Sequence, residues 1–98
     1  MSAIALIVEL KFAAGQRDRY LARARTHREN VIANERGCQR FDVVVPDDAE
    51  DTVYLYEVYA DEAALETHMN TSYMQEYRAD TGPMIAERKL TRCTMASG

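Results

Sequence analysis

The stretch Thr52-Val53-Tyr54-Leu55-Tyr56-Glu57-Val58-Tyr59 decides the fold of this 98-residue chain. It is rich in β-branched and aromatic residues and contains no Gly or Pro, which predicts a β-strand. An acidic turn, Pro46 to Asp51, separates it from a second alternating stretch, Cys38 to Val45. The two stretches therefore predict an antiparallel hairpin with a long loop.

Helices are predicted on both sides of this hairpin. Before it, residues 16–34 contain no Gly or Pro, and one face of helical spacing is shared by Tyr20, Ala24, His27 and Val31, with Leu21 and Ile32 alongside. After it, Asp61 can cap a helix over residues 62–70, and Thr71 or Ser72 can restart a short helix. The charged side chains of the first helix are expected to face solvent.

The two remaining strands are predicted near the ends of the chain. Residues 3–12 are apolar at both parities over their first half, so both faces of this strand are expected to be covered. Gly82-Pro83 breaks the chain, and residues 87–95 are predicted as a last strand with Leu90 as its main apolar residue. The order βαββαβ predicts an α+β, ferredoxin-like fold, in which both helices cover one face of an antiparallel sheet.

Size and strand patterning limit the domain organisation. With 47% hydrophobic residues, the chain is expected to form one domain over residues 1–98, with a small core. The first and third predicted strands carry apolar or aromatic residues on both faces, so a monomer would expose a large apolar patch. We therefore expect a homodimer through the sheet faces that the helices leave bare.

Charge and cysteine content exclude several kinds of partner. The net charge is -4 and the basic residues form no patch, so nucleic acid is not an expected partner. The apolar run Ala3 to Val8 lacks a basic region before it and ends at Glu9, which fits neither a signal peptide nor a membrane span. Cys38 and Cys93 are too few and too far apart for a disulfide scaffold, which favours the cytoplasm.

Three residues are candidate catalytic groups. The periodicity places His27 and His68 on inward helix faces, and Glu57 lies within a strand, where a buried charge is costly unless it is paired. Together, two imidazoles and a carboxylate can move protons near neutral pH. The structural alternatives are hydrogen-bonded core histidines and a Glu57 that pairs with Arg40 or Arg88.

Metal and nucleotide cofactors find no support in the sequence. The two histidines are 41 residues apart and form no HxD or HxxxH pair, so no metal site is predicted. No GxGxxG, Walker loop, GxSxG or HExxH occurs. Among the six tyrosines, Tyr59 and Tyr73 are candidates to contact a small-molecule substrate, although such aromatic stripes are more often core or dimer contacts.

Two stretches of the chain carry more specific motifs. One runs from Glu35 to Val43 and contains Arg40-Phe41-Asp42-Val43; the other runs from Tyr54 to His68 and begins Tyr54-Leu55-Tyr56-Glu57-Val58-Tyr59. Together they resemble the antibiotic biosynthesis monooxygenase (ABM) family, and the resemblance extends over nearly the whole chain. It implies a ferredoxin-like homodimer with a β-barrel between the subunits.

The resemblance implies two competing activities. One is a cofactor-independent monooxygenase, which deprotonates a quinol, phenolic or polyketide-like molecule so that the anion reacts with O2. The other is an isomerase that processes phosphorylated autoinducer-2-like diones, a branch that is slightly closer by motif. A dimer that only binds a small molecule or has a structural role is the non-enzymatic alternative.

The resemblance also implies roles for individual residues. Glu57 and His68 match the family's strand glutamate and helix histidine, and His27 matches a histidine of the isomerase branch. One imidazole is expected to act as the base, Glu57 to orient or charge it, and the other imidazole to stabilise an oxyanion. Arg40 or Lys11 is expected to receive a phosphate or oxyanion. The chain departs from both branches, since it has no Trp and no clear phosphate cradle.

Overall fold

The computed structural model describes residues 2–97 and confirms the ferredoxin-like α+β fold. Four strands and three helices follow one another, with a short 3₁₀ turn at Gly82–Met84 before the last strand. The elements are β1 (Ile4–Phe12), α1 (Arg17–Asn34), β2 (Cys38–Val44), β3 (Thr52–Tyr59), α2 (Glu62–Met69), α3 (Ser72–Thr81) and β4 (Ile85–Thr94).

The four strands form one antiparallel sheet in the order β2-β3-β1-β4. In the central pair, Leu6 lies opposite Glu57 and Leu10 lies opposite Val53. Since side chains alternate between the two faces of a strand, these four residues share the face that the helices cover. Glu57 is therefore held on the inner face by the register of the two central strands.

The inner face of α1 matches the prediction from its periodicity. Tyr20, Ala24, His27 and Val31 are all buried, with at most 1% of each residue exposed. The ring of Tyr20 packs on Phe12 of β1, with the two centroids 4.6 Å apart. This contact packs the helix on the sheet. His27 lies on the same helix face as Tyr20 and so points toward the interior.

The second helical region is divided into two helices, as the cap signals predict. The Asp61 carboxylate accepts a 2.8 Å hydrogen bond from the backbone N–H of Ala64, and the Thr71 hydroxyl accepts one from Met74 at 3.2 Å. Each side chain satisfies a backbone donor that a helix start leaves free. The break between the caps gives α2 and α3 separate directions, so His68 and Tyr77 approach the sheet from different helices.

A glycine allows α2 to lie close to the start of β2. A Cβ atom at Gly37 would lie well inside van der Waals contact with the Ala64 side chain and 3.4 Å from its Cα atom. The carbonyl oxygen of Gly37 also accepts a 2.8 Å hydrogen bond from the backbone N–H of Ala60. This close approach brings His68, one turn after Ala64, toward the end of α1.

The structure differs from the predictions at several element ends and surface positions. β4 begins at Ile85, two residues earlier than predicted, because pairing with β1 continues past a bulge near Phe12. Ile32 is 50% exposed rather than packed beside the inner stripe of α1. Leu90 is 43% exposed, because β4 is an edge strand and the helices pack mainly on β2 and β3.

The face of the sheet opposite the helices has no covering layer among residues 2–97. Its apolar members include Ile7, which is 46% exposed, and Val44, which is 48% exposed, with the half-buried Tyr54 and Tyr56 between them. We call this surface the open sheet face. None of the helices in the described range is both long and apolar enough to cross a membrane.

Candidate functional site

A cavity of about 310 Å³ lies between the inner face of the sheet and the helices. Most of its wall is apolar or aromatic, and a smaller set of titratable side chains reaches it. The lining includes Leu10, His27, Phe41, Glu57, His68, Tyr77, Arg78 and Arg88. A mainly apolar cavity with a few polar groups is the usual form of a small-molecule site.

His68, on α2, lies between two buried carboxyl groups. Its Nδ1 atom is 3.0 Å and 3.1 Å from the two carboxyl oxygens of Glu35, and its Nε2 atom is 3.9 Å from Oε1 of Glu57. The distances from Nδ1 to Glu35 are those of a hydrogen bond, whereas the distance from Nε2 to Glu57 is too long for one. The imidazole is therefore anchored through Nδ1, while Nε2 is turned toward Glu57 on the cavity wall.

Glu35 follows the last residue of α1 and is 8% exposed. Its carboxyl group also accepts a hydrogen bond from the hydroxyl of Tyr73, on α3. An imidazole nitrogen of α2 and a hydroxyl of α3 thus converge on this carboxyl group. The sequence analysis missed Glu35 as a site residue, because a glutamate beside Arg36 at a helix end is typical of a solvent-exposed terminus.

Glu57 is 5% exposed and accepts a 2.6 Å hydrogen bond from the hydroxyl of Tyr59, two residues later on β3. Burial raises the pKa of the Glu57 carboxyl group, and the Tyr59 hydrogen bond and the nearby His68 oppose that rise. Neither Arg40 nor Arg88 lies within ion-pair distance of it among the described contacts. A carboxyl group with a raised pKa holds its proton to a higher pH than an exposed one.

His27 is 1% exposed and stacks on Tyr77 of α3, with the centroids 4.1 Å apart and the ring planes 16° apart. Its Nδ1 atom has no hydrogen-bond partner within residues 2–97. Burial lowers the pKa of His27 to about 4, and the nearby His68 and Arg23 act in the same direction. His27 is therefore neutral at physiological pH.

The structure brings the three predicted catalytic groups together. His27, Glu57 and His68 all line the cavity, and the two imidazole centroids are 5.7 Å apart. Tyr59 and Tyr73 lie behind these groups. Tyr59 donates a hydrogen bond to Glu57, and Tyr73 donates one to Glu35, which contacts His68. Neither tyrosine is part of the cavity wall.

The cations expected to receive an oxyanion lie elsewhere. Arg40 and Lys11 are on the open sheet face, where Arg40 pairs with Asp42 and Lys11 lies 3.8 Å from Glu87. Both side chains therefore lie on the face of the sheet away from the cavity, because alternate residues of a strand project to opposite faces.

Arg78 and Arg88 are the guanidinium groups that line the cavity. Arg88 lies opposite Leu10 in the β1–β4 register and so projects on the inner face, while Arg78 is on α3. Neither forms an ion pair within the described part of the chain. The sequence analysis gave neither a substrate role, because charged residues on a helix and on an edge strand are typical of solvated surfaces.

The arrangement is suited to removing a proton and stabilising the anion that results. Glu35 holds His68 through Nδ1, which directs Nε2 along the cavity wall, and the two guanidinium groups provide positive charge at the same cavity. Across residues 2–97, no group of three or more His, Cys, Asp or Glu side chains is arranged to hold a metal ion.

Comparison with known proteins gives a family and a fold. The sequence profile of the family described as "Antibiotic biosynthesis monooxygenase" matches residues 3–80. No curated protein matches the chain.

Solved structures share the fold at low sequence identity. A candidate antibiotic biosynthesis monooxygenase from Caulobacter crescentus superposes with a TM-score of 0.93 at 23% identity, over 98% of this chain and 92% of that chain. Another from Nitrosomonas europaea gives 0.91 at 23% identity, over 97% and 91%. A Bacteroides thetaiotaomicron protein described as a possible oxidoreductase gives 0.88 at 20% identity, over 96% and 98%. With the profile match over most of its length, the chain belongs to the antibiotic biosynthesis monooxygenase family.

Proposed function

We propose that this protein is a cofactor-independent monooxygenase that acts on a quinol, phenolic or polyketide-like small molecule. The observation that supports the proposal is His68, which Glu35 holds through Nδ1 so that Nε2 points along the cavity wall toward Glu57. A base fixed in this way is suited to one task, the removal of a proton from a bound substrate. Membership of the family is consistent with that chemistry.

In the proposed reaction, His68 takes a proton from an acidic O–H or C–H group of the substrate. The resulting phenolate or enolate supplies the electrons that reduce O2. For a substrate with an activated CH2 group, one oxygen atom ends in a new C=O group and the other leaves as water with the two hydrogens. Arg78 and Arg88 stabilise the anion, and the neutral His27 adds a hydrogen-bonding group without adding charge.

We also propose that two copies pair through the open sheet face. Ile7 and Val44 expose nearly half of their surface there, and Tyr54 and Tyr56 lie between them. Charged side chains border this apolar centre, including the Arg40–Asp42 and Lys11–Glu87 pairs. An apolar patch with a polar rim is typical of a protein–protein interface.

A second candidate function is the isomerisation of a phosphorylated dione. The observation that favours it is the pair of guanidinium groups at the cavity, because Arg78 and Arg88 form no ion pair within residues 2–97 and can bind a phosphate. The same base would move a proton between carbons without consuming O2. Oxygen dependence therefore separates the two candidates.

The test is oxygen uptake by the purified, metal-free protein with naphthohydroquinols and anthrones, measured above spontaneous oxidation. We expect uptake by the wild type, one ¹⁸O atom from ¹⁸O2 in the product, and loss of uptake in folded His68→Ala. Glu66→Ala is the matched control, because Glu66 is exposed on α2, the helix that carries His68, and lies outside both the cavity and the open sheet face. Turnover of a phosphorylated dione without O2, and no uptake with the panel, would favour the isomerase; ligand binding with no turnover in either assay would favour the binding dimer.

A further inference from the structure

We propose that Glu35 is a positioning residue for His68: it fixes the Nδ1–H tautomer and so presents the Nε2 lone pair as the base. This inference rests on the proposed function for its kinetic consequence, but its structural content can be measured without any substrate. Glu35 lies outside the cavity wall and acts through the imidazole.

The first step of the argument is the choice between the two carboxyl groups beside His68. Both oxygens of Glu35 are within 3.1 Å of Nδ1, whereas the nearest Glu57 oxygen is 3.9 Å from Nε2. A ring nitrogen at hydrogen-bond distance from a carboxylate carries the proton, because an ionised carboxylate only accepts. The contact with Glu35 therefore decides which nitrogen of His68 is protonated.

The second step concerns the charge of Glu35. The Tyr73 hydroxyl and His68 Nδ1 both approach the same buried carboxyl group. Glu35 is assigned as a carboxylate in this proposal, because the carboxyl group accepts from the Tyr73 hydroxyl and a carboxylate has a further lone pair for His68 Nδ1–H. Glu35 is then the counter-charge that stabilises the imidazolium formed when Nε2 takes the substrate proton.

The third step is how the fold holds this contact. Glu35 follows the end of α1, and its backbone N–H still donates to the carbonyl of Val31 at 2.9 Å. The absence of a Cβ at Gly37 lets α2 approach, so that His68 meets the carboxyl group. Tyr73 holds the other side from α3. Three elements thus fix one acceptor in place.

The test uses ¹⁵N NMR of the imidazole nitrogens at alkaline pH, where the rings are neutral. The two histidines are assigned with His27→Gln, which removes the other set of signals. We expect the Nδ1–H tautomer for His68 in the wild type, its loss in Glu35→Ala and its retention in Glu35→Asp. Glu66→Ala, an exposed position on α2, is the matched control. An Nε2–H tautomer in the wild type, or no change in Glu35→Ala, would overturn the proposal.

Kinetics give a second readout once a substrate is found. Glu35→Ala is expected to lower kcat by at least about tenfold with KM within about twofold, and Glu35→Asp to recover part of that loss. If Glu35→Ala does not fold, Glu35→Gln keeps the side-chain volume and removes the charge, and the same fall in kcat is expected. An unchanged kcat in Glu35→Gln would overturn the counter-charge role. Failure of the wild type to turn over any substrate would sink the proposed function but leave the tautomer measurement decisive for Glu35.

Discussion

The hydroxyl of Tyr59 donates a 2.6 Å hydrogen bond to Glu57, two residues earlier on the same strand. Residues at this spacing share one face of a strand, so the hydrogen bond lies under the helices, where water is scarce. Tyr59 is fully buried and Glu57 nearly so. The donor therefore supports a carboxyl group that the interior would otherwise leave unpaired.

Tyr59→Phe is expected to destabilise the protein by about 1–3 kcal/mol, because it leaves a buried carboxyl group without its donor. The measurement is chemical unfolding at neutral pH. Tyr54→Phe is the matched control, since its hydroxyl makes only a 3.4 Å contact with Glu9 at a half-exposed position. If both variants lost the same free energy of unfolding, the hydrogen bond to Glu57 would not stabilise the protein more than an ordinary surface contact.

Glu57→Gln should change how stability depends on pH. Burial raises the pKa of Glu57 above its ordinary value of 4.5, so the folded state holds the proton more tightly than the unfolded state. The contribution of Glu57 to the free energy of unfolding is therefore fully present below pH 4.5 and is lost as the pH rises through the raised pKa. We expect the variant to gain stability relative to the wild type from about pH 4.5 upward, in unfolding curves at several pH values. A difference that stays constant with pH would contradict this assignment.

His27 should make stability depend on pH in the opposite direction from Glu57. Its pKa is lowered from 6.5 to about 4, so the unfolded state takes up the proton first. The contribution of neutral His27 to the free energy of unfolding is fully present above pH 6.5 and is lost as the pH falls toward 4. His27→Gln should remove this loss between pH 6.5 and 4, as seen in the difference between the variant's unfolding curves and those of the wild type. An unaltered slope in that range would count against a buried, neutral His27.

Gly37→Ala should be costly although it adds only a methyl group. That group would overlap the Ala64 side chain, so we expect a loss of about 1–3 kcal/mol in unfolding experiments. Gly37→Ala combined with Ala64→Gly should recover part of it. Gly82→Ala is the control, because nothing lies within 4 Å of a Cβ there and its φ of -50° suits alanine. If the double variant were no more stable than Gly37→Ala, contact with Ala64 would not be the cause.

The open sheet face makes a prediction about assembly. Wild-type protein should sediment at twice the mass of the chain, and Ile7→Asp should shift it toward the monomer by placing a charge in the apolar centre. Ile32→Asp is the matched control, since Ile32 is equally exposed, at 50%, but lies on α1. A monomeric wild type at micromolar concentration would exclude pairing through this face.

Local sequence pattern was sufficient to predict most of the fold. Spacing of three and four residues predicted the buried face of α1, and alternation predicted the strands, because both follow from the geometry of a single element. The start of β4 was predicted two residues too late, since Ile85 is placed in the strand by pairing with β1 across a bulge. Such pairing depends on a distant segment and has no local signal.

The site was predicted in part for the same reason. His27, His68 and Glu57 were unusual within their own elements, so each could be identified before its neighbours were known. Glu35, which contacts His68 across 33 positions of sequence, was not unusual at a helix end. The position of Arg40 away from the cavity could not be predicted, because its local pattern does not say which face of the sheet the helices cover.

The position of β4 has a consequence for how the protein avoids aggregation. Among residues 2–97 this edge strand pairs with β1 alone, so the backbone groups along its other side are available to another chain. The strand carries charged side chains at Glu87, Arg88, Lys89 and Arg92. Repulsion and hydration at these positions oppose the stacking of like edges, so these charges help to keep separate molecules from joining into fibrils, and one of them, Arg88, also lines the cavity.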